Sequence, residues 1–395
     1  MLRPYQTRLL EELRTSLRDH KRVLAVLPTG GGKTKIFCEI AAAARARGHT
    51  VQVLVHRREL VDQTPDPSVQ TIQSWTPNGA DLVIVDEAHH ACALSWADKL
   101  RGCERLLGFT ATPQRLDGNG LDGIFGRMVE GPNVARLMAD GFLSQFRLFA
   151  PPGGVDIKGV ANAVKNWKLL APGRQTIGFC VSLAHMQTVA AAFEAEGEHV
   201  GCIDGRMAKA ARDEVVRQFK EGKLRILLSV ELISEGFDVP ACDCVLLMRP
   251  TKSLAMYLQQ VGRGLRPSNK ECVILDCVGN SAHHGMPDEE RIWSLQGHAK
   301  IRNGLVANAP VRVCSRCFGV HRPHLRVCPF CGFSHPLDKR IPTDLELILE
   351  QKRQMKRDVG RARSVEDLER IAKERGYSMR WVHHILRSRK NRHFR

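Results

Sequence analysis

The sequence predicts an α/β protein with two parallel-sheet lobes, followed by a small four-cysteine ribbon and a basic helical tail. Short apolar runs alternate with helical stretches, which is typical of βαβ units on a parallel sheet. The alternation stops at the Pro- and Gly-rich segment Ala150–Gly154 and then begins again, which indicates a linker between two lobes. Near residue 300 the pattern gives way to a segment rich in Cys, Pro and His, and then to helical periodicity.

The predicted strands are the short apolar runs that buried parallel strands require. In the first lobe they are Val23–Leu27, Val51–Val55, Leu82–Val85 and Leu106–Phe109. In the second lobe they are Ile177–Cys180, Val200–Ile203, Arg225–Leu228, Cys244–Met248 and Cys272–Leu275. We therefore expect lobes at residues 1–148 and 149–302, a ribbon at 303–337 and a tail at 338–395.

The tail is predicted to contain two helical stretches, Asp344–Val359 and Val365–Ser388. An apolar stripe follows the second stretch at helical spacing. It comprises Leu368, Ile371, Ala372, Val382, Ile385 and Leu386.

The composition is that of an ordinary globular protein, with 395 residues of which 43% are hydrophobic and 26% charged. No run approaches the roughly 18 apolar residues of a membrane span. The segment Met1–Leu17 is charged and lacks the apolar core of a secretory signal. We therefore expect a cytoplasmic location and no membrane partner.

The positive charge of the chain is concentrated near its C-terminus. The net charge is +17, and residues 301–395 contain 22 Lys and Arg against 9 Asp and Glu. Such a segment suggests contact with a polyanion, most simply a phosphate backbone. The alternative is a solvated basic surface without a partner.

A glycine-rich loop follows the first predicted strand, and its core runs from Thr29 through Gly30, Gly31, Gly32 and Lys33 to Thr34. Glycines allow backbone N–H groups to approach a phosphate chain closely. Lys33 would neutralise the β- and γ-phosphates, and the Thr34 hydroxyl would bind Mg²⁺. The full phosphate-loop pattern has Gly where this chain has Leu27, and the alternative is a glycine-rich turn without function.

Two adjacent carboxylates end the predicted strand Leu82–Val85. Carboxylates at the C-terminal end of a parallel strand suit Mg²⁺ binding and activation of an attacking water. Asp86 would hold the Mg²⁺, and Glu87 would polarise the water. Alone, the pair of Asp86 and Glu87 is a weak signal. It is a stronger signal here because the strand before it belongs to the same predicted sheet as the strand before the glycine-rich loop with Lys33.

Two arginines lie three residues apart in the second lobe, so one helical face can present both. Arg263 and Arg266 follow Gln259 and Gln260. An arginine delivered from a second lobe can neutralise charge that develops on a γ-phosphate. The alternative is a pair of surface arginines on a helix.

The order of these motifs resembles that of superfamily 2 helicases, and more narrowly the RadD-type DEAD/DEAH-box proteins of bacteria and phages. In family order, the matching segments are Arg3–Gln6 (the Q-type motif), Thr29–Thr34 (Walker A), Val55–Leu60 (Ia), Thr71–Ser74 (Ib), Asp86–His89 (the DEAH box), Thr110–Pro113 (III), Ile177–Val181 (IV), Ser234–Pro240 (V) and Gln260–Arg266 (VI). The resemblance covers about residues 1–300. It adds Tyr5, Gln6, Gly236 and Asp238 to the expected nucleotide-binding residues.

The resemblance implies two RecA-like lobes that bind ATP in the cleft between them and move along a nucleic-acid strand. It favours DNA over RNA, in repair, recombination or replication, with single-strand-binding or replication and repair proteins as possible partners in a bacterial or phage-infected cell. Alternatives are a translocase that does not separate strands and a nucleic-acid-binding adaptor with a vestigial ATPase. The segment between Gln63 and Leu82 is short, and we expect it to lack the helix and strand that relatives carry there.

Four cysteines form two Cys-x-x-Cys pairs, namely Cys314, Cys317, Cys328 and Cys331. This spacing indicates a closed, structural Zn²⁺ site in which glycines, Gly319 and Gly332, free each turn. The alternatives are unligated core cysteines and an iron–sulfur cluster. The arginines of the ribbon, Arg312, Arg316, Arg322 and Arg326, would extend a nucleic-acid surface. Trp381 in the tail could stack on a base, although a core position is the more common fate of such a residue.

Overall fold

The structure is a computed structural model that describes residues 2–113, 120–153, 156–230, 242–268, 270–296 and 311–336, together with 362, 364–374, 382 and 385–386 of the tail. The chain divides into two compact units, Met1–His335 and Pro336–Arg395. The first unit contains both sheets and the four-cysteine ribbon.

The first sheet has six parallel strands in the order β3-β2-β4-β5-β1-β6. Their bounds are β1 Arg22–Val26, β2 Val51–Val55, β3 Val69–Thr71, β4 Leu82–Val85, β5 Leu106–Thr110 and β6 Arg127–Glu130. The central strands are buried along their whole length, which explains their unbroken apolar sequences. Because all strands are parallel, the loops after β1, β4 and β5 meet at one edge of the sheet.

The second sheet is also parallel, with the order β7-β12-β11-β8-β10-β9. Its strands are β7 Phe146–Phe149, β8 Thr176–Phe179, β9 Val200–Ile203, β10 Ile226–Ser229, β11 Cys244–Leu247 and β12 Cys272–Asp276. The predicted two-lobe α/β fold of the RecA-like type is confirmed. All nine predicted strands are present, with ends within one residue of those expected.

Helices cover the faces of the two sheets. They are α1 Pro4–Asp19, α2 Lys33–Arg45, α3 Arg58–Gln63, α4 Leu94–Arg101, α5 Val134–Ala139, α6 Ile157–Leu170, α7 Leu183–Glu194, α8 Lys209–Lys220, α9 Leu254–Gly262 and α10 Asn280–His284. Several begin at a residue whose side chain accepts a backbone N–H of the first turn, as a helix start requires. These caps are Asn133, Asp156, Ser182 and Ser253.

The segment between Gln63 and Leu82 contains no helix, as expected, but the expectation that it also lacks a strand was wrong. The short strand β3 pairs in parallel with β2 at the edge of the sheet. The Asp66 carboxylate accepts two hydrogen bonds from the Arg45 guanidinium, at 2.9 and 2.7 Å, and also accepts the Ser68 N–H at 3.0 Å. This turn directs the chain back along the sheet. A three-residue strand is too short for periodicity to detect, which is why the sequence did not indicate it.

The strand β7 is an edge strand that the sequence analysis did not predict. Arg147 interrupts its apolar residues, so β7 lacks the unbroken apolar run that marks the central strands. β7 belongs to the second sheet, where it pairs with β12.

The ribbon adds a two-stranded antiparallel sheet beside β7. Its strands are β13 Arg312–Val313 and β14 Val320–His321. Phe149 forms a bridge with Gly319, and the Ala150 N–H donates to the Phe318 carbonyl at 2.8 Å. The Phe149 and Phe330 rings lie 5.4 Å apart. The ribbon is therefore docked on the edge of the second sheet through backbone hydrogen bonds and aromatic packing.

In the second unit, the structure describes a helix over Val365–Glu374, α11. The predicted apolar stripe is confirmed, because Leu368, Ile371, Ala372 and Val382 are buried together and Ile385 and Leu386 pack against them. The predicted helix Asp344–Val359 and Trp381 lie outside the described residues. Among the residues that the structure describes, none forms a helix with the length and apolar character needed to cross a bilayer.

Candidate nucleotide site and metal centre

The glycine-rich loop joins the end of β1 to the start of α2. Gly30 and Gly32 have φ angles of +83° and +81°, a left-handed conformation that favours glycine over other residues. Gly32 is the residue that precedes the first turn of α2. The loop therefore places Lys33 and Thr34 at the positive end of a helix, where backbone N–H groups are available to phosphate oxygens.

Two residues of α1 form hydrogen bonds to the backbone of this loop. The Tyr5 hydroxyl donates to the Gly31 carbonyl at 2.8 Å, and Gln6 Nε2 donates to the same oxygen at 3.2 Å. The Gln6 Oε1 atom accepts the Arg3 N–H at 2.9 Å. A Cβ atom at Gly32 would lie 2.4 Å from Gln6 Nε2. The hydrogen bonds of Tyr5 and Gln6 are thus to the loop backbone, which gives these predicted nucleotide-binding residues a role in shaping the loop.

The two carboxylates of the DEAH box lie directly after β4. Asp86 and Glu87 are only 7% and 9% exposed, and the Glu87 N–H donates to Asp86 Oδ1 at 2.9 Å. Glu87 has a φ of +49°, a strained conformation for a residue with a side chain. This strained turn separates the two carboxylates at the edge of the sheet.

Burial and Lys33 act on the ionisation of this pair in opposite directions. Burial and the neighbouring Glu87 charge raise the pKa of Asp86 above its ordinary value. Burial also acts to raise the pKa of Glu87, but the charge of Lys33 and the contact with His89 outweigh it and lower that pKa. Of the two carboxyl groups, Glu87 is therefore the one whose ionised form its surroundings favour.

His89 connects the DEAH box to motif III. Its Nδ1 atom lies 3.4 Å from Glu87 Oε2 and 3.2 Å from Thr110 Oγ1. The Thr110 hydroxyl donates to the Thr112 carbonyl at 2.9 Å and lies 3.2 Å from the Thr112 N–H. The sequence indicated that His89 belongs to the DEAH box but did not indicate a role for it. The structure places it between the Glu87 carboxylate and the loop after β5.

The second lobe faces the phosphate loop through the end of α9. A Cβ atom at Gly262 would lie 2.6 Å from Thr29 Cβ, so the two backbones approach closely. Arg263 follows at once and is 5% exposed, while Arg266 is half-buried. The predicted arginines therefore lie on the segment that meets the glycine-rich loop across the cleft. Gly236 and Asp238 of motif V lie outside the described residues.

Ser144 holds the backbone around these arginines, and the sequence gave no sign of it. Its N–H donates to the Leu265 carbonyl at 3.0 Å, and its hydroxyl donates to the Arg266 carbonyl at 2.9 Å. The hydroxyl also accepts the Ser268 N–H at 2.9 Å. Because Ser144 lies two residues before β7, on the segment that crosses between the lobes, this segment is tied to motif VI.

A second unexpected residue, Lys99 of α4, secures motif Ib. Its ammonium group donates to the carbonyls of Ile72, Gln73 and Trp75 at 2.8, 2.9 and 2.6 Å. Gln73 Nε2 in turn donates to the His56 carbonyl of motif Ia at 3.1 Å. The polar loops after β2 and β3 are therefore fixed as one surface.

The four cysteines of the ribbon converge. Their sulfur atoms all lie within 4.8 Å of one another, with Cys314 and Cys331 at 3.7 Å and Cys317 and Cys328 at 3.6 Å. This spacing fits the edges of a tetrahedron around one Zn²⁺. The donor set therefore suits a structural zinc.

The geometry of the first turn differs from expectation. In this turn, Phe318 adopts the left-handed conformation, with a φ of +60°, whereas Gly319 does not. Gly319 is needed for another reason, since a Cβ atom there would lie 2.3 Å from the Phe330 ring. In the second turn Gly332 does adopt the left-handed conformation, with a φ of +69°.

Comparison with known families supports the interpretation of both lobes. Residues 160–268 match the helicase conserved C-terminal domain. Residues 1–77 and 66–115 match the family described as type III restriction enzyme, res subunit. Together these matches cover more than half of the chain, one in each lobe.

Individual relatives have a low sequence identity to this chain but align with most of its length. A 51.5 kDa protein of Lactococcus phage (isolate 7-9) is 29% identical over 381 residues, covering 83% of each chain. The putative ATP-dependent helicase IRC3 of Saccharomyces cerevisiae is 26% identical over 71% of this chain and 52% of its own. The DNA 3'-5' translocase XPB2 of Sulfurisphaera tokodaii is 21% identical over 70% of this chain and 81% of its own.

Among solved structures, a fragment of a putative HsdR subunit of a type I restriction enzyme from Vibrio vulnificus has a similar fold. The TM-score is 0.58 at 20% identity, covering 72% of this chain and 65% of that one. The cleft, its motifs and these matches define a nucleotide-hydrolysing motor. The chain belongs to superfamily 2 of the helicases, a class of ATP-dependent enzymes.

Proposed function

We propose that this protein is a DNA-dependent ATPase that moves along DNA, acting in repair, recombination or replication. The observation that carries the proposal is the contact between Thr29 and Gly262, which brings motif VI of one lobe against the phosphate loop of the other. Because the two lobes meet at the phosphate loop, ATP binding and hydrolysis can change the position of one lobe relative to the other.

The site residues would divide the reaction among them. Lys33 and the loop N–H groups would hold the phosphates, with Thr34 and Asp86 as ligands of a Mg²⁺ ion that neutralises phosphate charge. Glu87 would orient and polarise the attacking water. Arg263 and Arg266 would stabilise the charge that develops on the γ-phosphate.

Several surfaces of the protein would contact the nucleic acid. The loops of motifs Ia and Ib, fixed by Lys99 and Gln73, present polar groups to a backbone. The ribbon and the tail carry the positive charge of the chain, including Arg312, Arg316, Arg322 and Arg326. The similarity to a relative named as a DNA translocase favours DNA as the substrate. The RadD-type assignment stays a prediction on the motifs alone.

The ribbon would hold Zn²⁺ through Cys314, Cys317, Cys328 and Cys331. The ion would act as a structural centre, because four thiolates leave no open position for a reacting group. Its role would be to fix the turns that dock on Phe149 and Ala150.

The decisive experiment is steady-state ATP hydrolysis by the full chain with no nucleic acid, single-stranded DNA, duplex DNA or RNA. Lys33→Ala serves as the inactive reference, and Lys35→Ala, an exposed neighbour on α2, serves as the matched control. We expect DNA to raise the rate in the wild type and in the control only. Stimulation by RNA alone, or indifference to both, would contradict the proposal.

A strand-displacement assay on forked DNA refines the result. Release of a labelled strand would identify a helicase. Displacement of a bound protein or a third strand, without release of the duplex strand, would identify a translocase that leaves DNA paired.

A further inference from the structure

The segment Met286–Gln296, which we call the strap, follows the last helix of the second lobe and returns to the first lobe. It begins after α10 and lines one side of a cavity of about 350 Å³ between the lobes. The opposite sides of that cavity include Thr29 of the phosphate loop, Ala111 of motif III and Gly262 of motif VI. The strap therefore spans the cleft beside the nucleotide site.

Its first part is fixed to the second lobe by Arg291. The guanidinium donates to the carbonyls of His284 and Met286 at 3.1 and 3.0 Å and to that of Glu289 at 3.0 Å. His284 belongs to α10, where its ring stacks on Tyr257 of α9 at 5.2 Å. Arg291 thus joins the strap to the helix that carries motif VI.

Its last part is fixed to the first lobe by Leu295. The Leu295 carbonyl accepts the N–H groups of Leu121 and Asp122 at 2.6 and 3.1 Å. The side chains of Trp293 and Leu295 pack against an apolar cluster of the first lobe. A Cβ atom at Gly120 would lie 2.1 Å from the Leu295 carbonyl oxygen, so the strap lies directly on the backbone there.

The cluster under the strap supports the DEAH box. Leu121 and Phe125 belong to it, and so does Ala88, the residue after Glu87. A Cβ atom at Gly108 would lie 2.5 Å from the Phe125 ring and 2.8 Å from Ala88 Cβ. Packed side chains therefore form a continuous path from Leu295 through Phe125 to the turn that holds Glu87.

We propose that the strap is a tether that transmits the position of the second lobe to the DEAH box, with Trp293 and Leu295 as positioning residues for Glu87. This inference rests on the proposed ATPase function. Arg291 fixes one end to the motif VI side, and Leu295 fixes the other to the cluster behind Glu87. A tether of fixed length lets both sides of the catalytic site adjust together.

The test lengthens the strap without removing either anchor. Gly-Gly-Ser is inserted between Arg291 and Ile292 of the full chain, and the same residues inserted after Gly197, in an exposed turn, provide the control. We expect kcat for ATP hydrolysis to fall about fivefold with and without DNA. KM for ATP and the Tm are expected to stay near the wild-type values, because the buried contacts remain.

Point variants separate a tether from a simple cover over the cluster. Trp293→Ala and Leu295→Ala are expected to lower kcat as the insertion does, and Leu295→Met to restore it. Ile292→Ala, at an 89% exposed position of the strap, should behave like the wild type. An insertion variant with wild-type kcat would overturn the tether. If DNA does not stimulate hydrolysis by the wild type, the proposed function is contradicted. The role of the strap is then still decided by the ratio of the kcat of the insertion variant to that of the wild type, both measured without DNA.

Discussion

Gly262 of the second lobe lies so close to Thr29 of the phosphate loop that the two cannot both carry a Cβ atom without movement. The distance from a Cβ atom built at Gly262 to Thr29 Cβ would be 2.6 Å, far inside van der Waals contact. The close approach of the two lobes is therefore possible because residue 262 has no side chain.

Substitution of Gly262 should hold the cleft open. We expect Gly262→Ala to lower kcat about tenfold, because Arg263 and Arg266 would be displaced from the phosphate loop. Gly205→Ala is the matched control, since a Cβ atom there meets nothing within 4 Å. Steady-state hydrolysis measures both variants, and equal rates would show that the contact does not limit catalysis.

Substitution of Glu87 should separate nucleotide binding from hydrolysis. Glu87→Gln keeps the shape of the side chain but removes the charge that polarises water, so we expect hydrolysis to fall about 100-fold or more. Titration with a fluorescent ATP analogue should give a Kd near that of the wild type. Glu39→Gln, at an exposed position of α2, should retain full activity. Undiminished hydrolysis by Glu87→Gln would assign the water to another group.

Substitution of Arg266 should lower turnover more than affinity. An arginine that acts on the transition state contributes little to the bound ground state, so Arg266→Ala should lower kcat at least about tenfold with KM nearly unchanged. Lys252→Ala, an exposed cation of the same lobe, provides the comparison. A change confined to KM would contradict a role in charge stabilisation.

Removal of the Asp66 charge should weaken the edge of the first sheet. Burial alone would raise the pKa of Asp66, but hydrogen bonds from Arg45 and Ser68 lower it below the ordinary value. A depressed pKa contributes stability that is complete above the unfolded-state pKa near 4 and is lost as the pH falls through the folded-state value.

Asp66→Asn should therefore lower the free energy of unfolding at neutral pH by about 2 kcal/mol. The variant should also lose less stability than the wild type below about pH 4. Asp98→Asn removes an exposed partner of Arg101 and should have little effect. Urea unfolding at pH 7 and pH 3.5 measures each quantity, and an unchanged pH profile would exclude Asp66 as the source.

Loss of one ribbon thiolate should release the metal. We expect Cys328→Ser to abolish stoichiometric zinc, measured by atomic emission on the purified chain, and to lower the Tm. Cys103→Ser, which removes a half-buried thiol outside the cluster, should retain zinc. Protease cleavage within residues 312–336 should also increase only in the Cys328 variant. Equal zinc content in the two variants would contradict the four-thiolate site.

The sequence predicted the central strands and the residues that follow them because both have local signals. An unbroken apolar run marks a buried parallel strand. Asp86 and Glu87 come directly after one such strand, and Lys33 follows the glycine-rich loop after another. The four cysteines are equally recognisable, since metal geometry fixes their spacing.

The contacts missed from the sequence depend on distant partners. Ser144 meets Arg266 across 122 residues, and Lys99 meets Ile72 across 27. A serine or lysine has no local feature that indicates a backbone carbonyl as its partner. Three of the four edge strands of the two large sheets were missed for a related reason: β3 is too short for periodicity, and charged residues break the apolar runs of β6 and β7.

The lobes are joined at several separate places. Ser144 holds the backbone of Leu265 and Arg266, the Leu295 carbonyl holds Leu121 and Asp122, and the Lys209 ammonium of α8 lies 2.6 Å from the Asp62 carboxylate of α3. A rigid body attached at one point can turn about any axis through it, and each further attachment removes part of that freedom. A change in the angle between the lobes therefore requires at least one of these attachments to stretch or break.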